Sequence, residues 1–150
     1  MKKLLTLCTL ILSTILILTA CSSEKTKVYT KTIDNQDIQV TIYHKGDLVN
    51  KTITVNKLPN VGNNISSTID SIKESIKNNN GHPIDNIAGY SYTVEEKDGK
   101  INITWETDFT KLDFDKFKSA YKLSENSLDE ARELSTVEKR LTDNDFKEKQ

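Results

Sequence analysis

Cysteine is scarce, with two in 150 residues, Cys8 and Cys21, both within the first 21 positions. Beyond Cys21 the chain therefore has no disulfide, no thiol nucleophile and no thiolate metal ligand. Histidine also numbers two, His44 and His82, placed in separate turn-like stretches without metal-ligand spacing. Asp143-Asn144-Asp145 lacks the glycine and later glutamate of a calcium loop. No G-x-S-x-G elbow is present to activate a serine. Five glycines and two prolines exclude collagen-like or low-complexity sequence. There is no excess of either charge: 21 basic against 22 acidic side chains give a net of -1, whereas a nucleic-acid binder normally shows a basic stripe. No cofactor is implied, and at this length the chain holds one folded domain.

The apolar residues are unevenly spread. Lys2 and Lys3 precede an almost wholly apolar run, Leu4 to Leu18. As a helix that run reaches about 22 Å, short of the roughly 30 Å hydrocarbon core of a bilayer. A basic start followed by a short apolar stretch and small residues is the pattern of a secretory signal. The end of the run is more informative. Leu18-Thr19-Ala20-Cys21 resembles the bacterial lipobox, in which a diacylglycerol is attached to the cysteine sulfur. Cleavage then falls between Ala20 and Cys21, and the freed amine of Cys21 can take an N-acyl chain. One acyl chain holds a protein only marginally, and two hold it firmly. The expected partner is thus the membrane, reached through lipid on Cys21 and needing no basic patch. Loss of residues 1–20 removes Lys2 and Lys3, leaving a net of -3. The expected division is a signal peptide over 1–20, a lipidated cysteine and short tether over 21–27, and a domain over 28–150.

Within that domain, Val28 to Ile33 is β-branched and aromatic, and Ile38, Val40 and Ile42 alternate with polar residues. Leu48 to Val55 continues with Val49, Ile53 and Val55 expected on one face. Three strands in meander order follow from this. Ile65, Ile69, Ile72 and Ile76 form a helical stripe, with Ser66 as N-cap and Asn78 to Gly81 as the stop. Tyr90 to Val94 and Ile101 to Trp105 flank Lys97-Asp98-Gly99-Lys100, a type I′ hairpin signal. Phe109 to Leu123 reads as a short helix or irregular packed segment. A last helix begins at Ser127, where Ser127 and Glu130 have capping-box spacing, and leaves through Asn144. The sum is an α+β fold: an antiparallel sheet of about five strands, meander plus hairpin, packed with two or three helices.

Candidate chemistry is thin. Asp108, Asp113 and Asp115, or Glu95 and Glu96, could supply the carboxylate pair of a hydrolase, though solvated faces carry such acids commonly. Tyr29, Tyr43, Tyr90, Tyr92 and Trp105 lie on expected strands, either lining a peptide- or glycan-binding face or filling the interior. Lys116, Lys118 and Lys122 read as a solvated helix face.

From the tether onward the chain resembles the YehR-like family of small bacterial lipoproteins. The likeness is carried by Thr41-Ile42-Tyr43-His44-Lys45-Gly46-Asp47-Leu48-Val49, by Gly89 through Asp108, by Leu112-Asp113 and by the closing helix after Ser127. Asn144 departs from it, standing where such helices more often end in glycine. The resemblance implies a compact α+β domain without assigned activity and transfers no catalytic residue. The expectation is a membrane-anchored, extracytoplasmic, non-enzymatic domain that binds a protein, peptide or envelope glycan and no nucleic acid. The alternative is a cell-envelope hydrolase, or a hydrolase inhibitor, working through Asp108 or Asp113. Lys-, Asn- and Ile-rich usage favours the membrane of a Gram-positive cell over the outer membrane of a diderm.

Overall fold

The computed structural model describes residues 23–59, 64–77, 84 and 86–150. The expected signal segment, Ala20, Cys21, the expected helix stop over Asn78–Gly81 and His82 lie outside them. In chain order the elements are β1 (Lys25–Ile33), β2 (Gln36–Lys45), β3 (Leu48–Leu58), α1 (Ile65–Lys77), β4 (Tyr90–Lys97) and β5 (Lys100–Asp108). Then come α2 (Phe114–Tyr121), α3 (Leu128–Ala131), α4 (Leu134–Asp143) and β6 (Lys147–Glu148). The strands form one antiparallel sheet in the order β4-β5-β3-β2-β1-β6. The architecture is the expected α+β, with a short sixth strand added along β1.

Two tight turns follow their local chemistry. Asp98 and Gly99 both take positive φ (54° and 72°), as a type I′ turn requires, and join β4 to β5. Asp34 and Asn35 do the same between β1 and β2 (49° and 64°). Asp and Asn tolerate that conformation better than most side chains.

Cross-strand partners share a face, so the register sorts the side chains. Tyr29, Val40, Thr54, Trp105 and Tyr92 stand in one row across the sheet, and Lys27, Ile42, Thr52, Thr107 and Tyr90 in the next. The helices pack on this face. A main core gathers Tyr29, Val40, Ile42, Val49, Phe109, Leu112, Ala120 and Val137. A smaller cluster sets the α1 isoleucines against Val94, Ile101 and Ile103. Val28, Ile53 and Val55 stand on the opposite face, in rows with Thr30, Gln39, Thr41, Thr104 and Glu106.

The expected grouping of Val49 with Ile53 and Val55 is therefore corrected. Pairing steps from Tyr43–Lys51 to His44–Val49, leaving Asn50 as an extra residue in a bulge. One inserted residue moves all that follows to the other face. The Asn50 carbonyl accepts the Phe109 N–H at 2.8 Å, which ties the bulge to the end of β5.

Three helix boundaries also differ from expectation. Ser66 lies inside α1, and Asn64, the residue before the helix, offers its carbonyl to the Thr68 N–H at 3.2 Å and to the Ser67 and Thr68 hydroxyls. The closing helix is two helices. Ser127 caps α3 by accepting from the Glu130 N–H at 3.2 Å, but the chain then breaks at Arg132 and Glu133. There the Val49 N–H donates to the Arg132 carbonyl (2.9 Å) and the Leu134 N–H to the Asp47 carbonyl (2.8 Å). Pairing with the β2–β3 turn outcompetes continuation of the helix. Finally, Asp145 takes the left-handed exit at φ 63°, while Asn144 stays at φ -102°. Phe146 then folds back, its N–H reaching the Leu141 carbonyl at 3.0 Å and its ring packing against the core.

Candidate functional site

α2 forms because each end is chemically marked. The Asp113 carboxylate accepts the Lys116 N–H at 3.3 Å, and Lys122 closes the helix at φ 52°. Phe114, Phe117 and Tyr121, spaced three and four residues apart, face the sheet beside Ala120. Phe117 and Tyr121 meet Tyr90 from β4 in a triangle of rings, with centroids 5.3, 4.7 and 5.5 Å apart. The Tyr90 and Tyr121 hydroxyls share a hydrogen bond of 2.6 Å. Burial first, then that bond, pushes the Tyr90 phenol well above its ordinary range, so it stays neutral. Burial also raises Tyr121.

Beside this triangle lies a cleft of about 440 Å³, open to solvent. Thr54, Trp105 and Thr107 form its floor, and Tyr90, Phe117 and Tyr121 one wall. Ser75, Ile76 and Ile84 complete the lining, which contains no carboxylate, imidazole, ammonium or guanidinium among the described residues. Of the residues singled out in sequence, Trp105 and Tyr90 belong here. Tyr92 pairs with Trp105 on the same face, and Tyr29 is buried in the main core. Tyr43 alone stands on the opposite face, its ring 5.0 Å from the Lys51 ammonium. Phe117 and Tyr121 were legible only as apolar positions; their i, i+4 spacing is the signal that sets them on one face. The contributions of Thr54 and Thr107 depend on the bulge, which the spacing of apolar residues does not reveal.

Two of the candidate acids, Asp108 and Asp113, are employed elsewhere, and Asp115 is exposed on α2. Asp108 accepts from the Thr110 hydroxyl (2.5 Å) and N–H (3.0 Å) and pairs with Lys111 at 3.0 Å. The Thr110 hydroxyl first, and Lys111 after it, hold the Asp108 carboxyl below the usual range. Lys116 does the same for Asp113, through its ammonium at 3.0 Å and its backbone N–H. A general acid needs the opposite shift. Glu95 and Glu96 are exposed on β4. His44 is buried, with Nδ1 2.8 Å from the Gly46 carbonyl oxygen. Among the described residues no three His, Cys, Asp or Glu side chains gather as a metal site.

A further polar constellation joins the sheet to α4. Glu138 Oε1 accepts from the Lys27 ammonium and from the Tyr29 hydroxyl, the latter at 2.9 Å. Burial pushes the Glu138 carboxyl up, but the Lys27 and Tyr29 hydrogen bonds outweigh it and the net shift is downward. A folded-state pKa below the unfolded value contributes stability above about pH 4.5, lost as pH falls through the folded value. Glu138→Gln should accordingly be less stable than the parent at neutral pH, with the difference shrinking towards pH 3. Urea melts at both pH values check this, and an unchanged difference would contradict it.

The model for a protein family of unknown function, DUF1307, matches residues 25–147. The chain belongs to this family. Two solved structures share its fold. The NMR structure of Escherichia coli YehR is 21% identical, covers 85% of this chain and 91% of its own, and has a TM-score of 0.61. An NMR structure of a protein from Streptococcus pneumoniae TIGR4 is 18% identical, covers 85% and 86%, and has a TM-score of 0.57. At these identities they speak for the fold alone. No curated protein matches the sequence. The DUF1307 match agrees with the YehR-like resemblance and names no activity for the family.

Proposed function

We propose that this DUF1307 chain is a lipid-anchored, extracytoplasmic binding domain without catalytic activity. The observation that carries the reading is the cleft of about 440 Å³ over Trp105, rich in rings and hydroxyls and free of charge among the described residues. That is the make-up of a recognition pocket, where apolar walls supply affinity and a few polar groups set orientation. Among the described residues it holds no side chain placed to act as general acid, and Asp108 and Asp113 are committed to a turn and a helix cap. The anchor is supported by the Leu18-Thr19-Ala20-Cys21 box. Glu24 accepts from the Asn50 side-chain amide at 3.2 Å, and β1 begins at Lys25 beside His44. Four extended residues span about 14 Å, so lipid on Cys21 keeps the β2–β3 turn close to the bilayer.

Two experiments on intact cells test the reading. Cys21→Ser should move the protein from the membrane fraction to a soluble or uncleaved pool; an unchanged distribution removes the anchor. Crosslinking of the anchored chain followed by mass spectrometry should recover a reproducible envelope component. Turnover of an envelope substrate by the purified protein, abolished by Asp108→Asn, would replace binding with hydrolysis.

A further inference from the structure

The cleft over Trp105 carries more information than its size. Resting on the binding reading above, we infer that it is a subsite for uncharged sugar residues of a glycan chain. The hydroxyls of Thr54 and Thr107 and the indole N–H of Trp105 have no hydrogen-bond partner among the described residues. The Tyr90–Tyr121 pair uses one hydroxyl hydrogen between its two oxygens and leaves the other to donate. A wholly apolar occupant would strand these groups, which lose their hydrogen bonds to water and gain none in return. A charged occupant would leave water for a lining that holds no opposite charge among the described residues, which costs still more. A neutral sugar ring meets both conditions. Its C–H face lies against an aromatic ring, and its rim of hydroxyls both donates and accepts. The rings of Trp105, Tyr90, Phe117 and Tyr121 offer the first surface, and the threonine hydroxyls and indole N–H offer the second. The cleft is open to solvent, and at about 440 Å³ it stands near the lower end of the range for ligand sites, roughly 300–1,000 Å³. A segment of a longer chain can pass through such a site, so we assign it to a polymer and not to a free monosaccharide.

Trp105 is the chain's one tryptophan, so its emission reports on this cleft without labelling. The full chain, purified in a zwitterionic detergent because sugar-headed detergents would compete, is titrated with triacetylchitotriose, maltotriose, N-acetylglucosamine and a blocked neutral tripeptide. At least one trisaccharide should give a saturable change, at least tenfold tighter than the monosaccharide. Thr107→Val should weaken it at least fivefold at unchanged thermal stability, while Thr41→Val, on the opposite face, should not. Saturation by the tripeptide alone would overturn the glycan assignment and leave a binding domain standing. Equal affinity for monosaccharide and trisaccharide would overturn the polymer assignment. No change with any probe would overturn the glycan site outright, and the crosslinking experiment would then decide separately whether the domain binds at all.

Discussion

Gly89→Ala should destabilise the domain by about 3–5 kcal/mol and lower Tm by roughly 10–15 °C. Gly89 precedes β4 at φ +76°, a conformation that costs an L side chain. Space is the larger difficulty. A Cβ there would lie 2.6 Å from the Leu112 nitrogen and 2.7 Å from both the Asp108 carbonyl oxygen and the Leu112 Cα. These are backbone atoms, unable to swing aside as a side chain would. They are also bonded in place: the Asp108 N–H donates to the Gly89 carbonyl at 2.7 Å, and the Asp113 N–H to the Ala88 carbonyl at 2.9 Å. Relief of the clash must break this junction, which sets both the end of β5 and the start of α2. The cleft wall carried by α2 should loosen with it. Chemical denaturation followed by circular dichroism measures the loss, and a cost under about 1 kcal/mol would show that the junction yields easily.

Ile42→Ala should cost about 2–5 kcal/mol, the usual range for emptying a fully buried aliphatic site. Ile42 has no exposed surface and stands at the centre of the main core. Ile53→Ala, on the adjacent strand, should cost less than about 1.5 kcal/mol. Ile53 pairs with Thr41 and Glu106 on the face opposite the helices and belongs to neither apolar cluster. Apolar spacing alone would place Ile53 with Val49 and give the two isoleucines similar costs. The bulge at Asn50 separates them. Comparable losses in urea melts would therefore contradict the register.

These two sites show what was legible in the chain. Strong periodic signals were reliable: Ile38, Val40 and Ile42 on one face with Val40 and Ile42 buried, the α1 isoleucine stripe, and Asp98-Gly99 as the hairpin turn. Each depends on neighbours within a few residues. The strand register, the split of the closing helix and the sixth strand depend instead on contacts between distant parts. Asn50 is pushed out of register because its carbonyl meets the Phe109 N–H. The final helix is split because Asp47 and Val49 offer it strand-like bonds. Strand β6 exists because Phe146 turns back and carries Lys147 and Glu148 to β1. Local propensity cannot register such competition, because the winning partner is 40 or more residues away. The cleft is of the same kind. Trp105 and Tyr90 were recognisable as strand aromatics, but the site is assembled from β3, β4, β5, α1 and α2 together. The proposed anchor differs, because a lipobox-like sequence is a linear signal addressed to processing enzymes and needs no fold to be read.

The most direct test of the account is the intact mass of the protein extracted from cell membranes. The account predicts a chain beginning at Cys21, heavier than its amino-acid sequence by a diacylglycerol, with or without a further acyl chain on the amine. A chain retaining Met1, or one beginning elsewhere with Cys21 unmodified or removed, would contradict it.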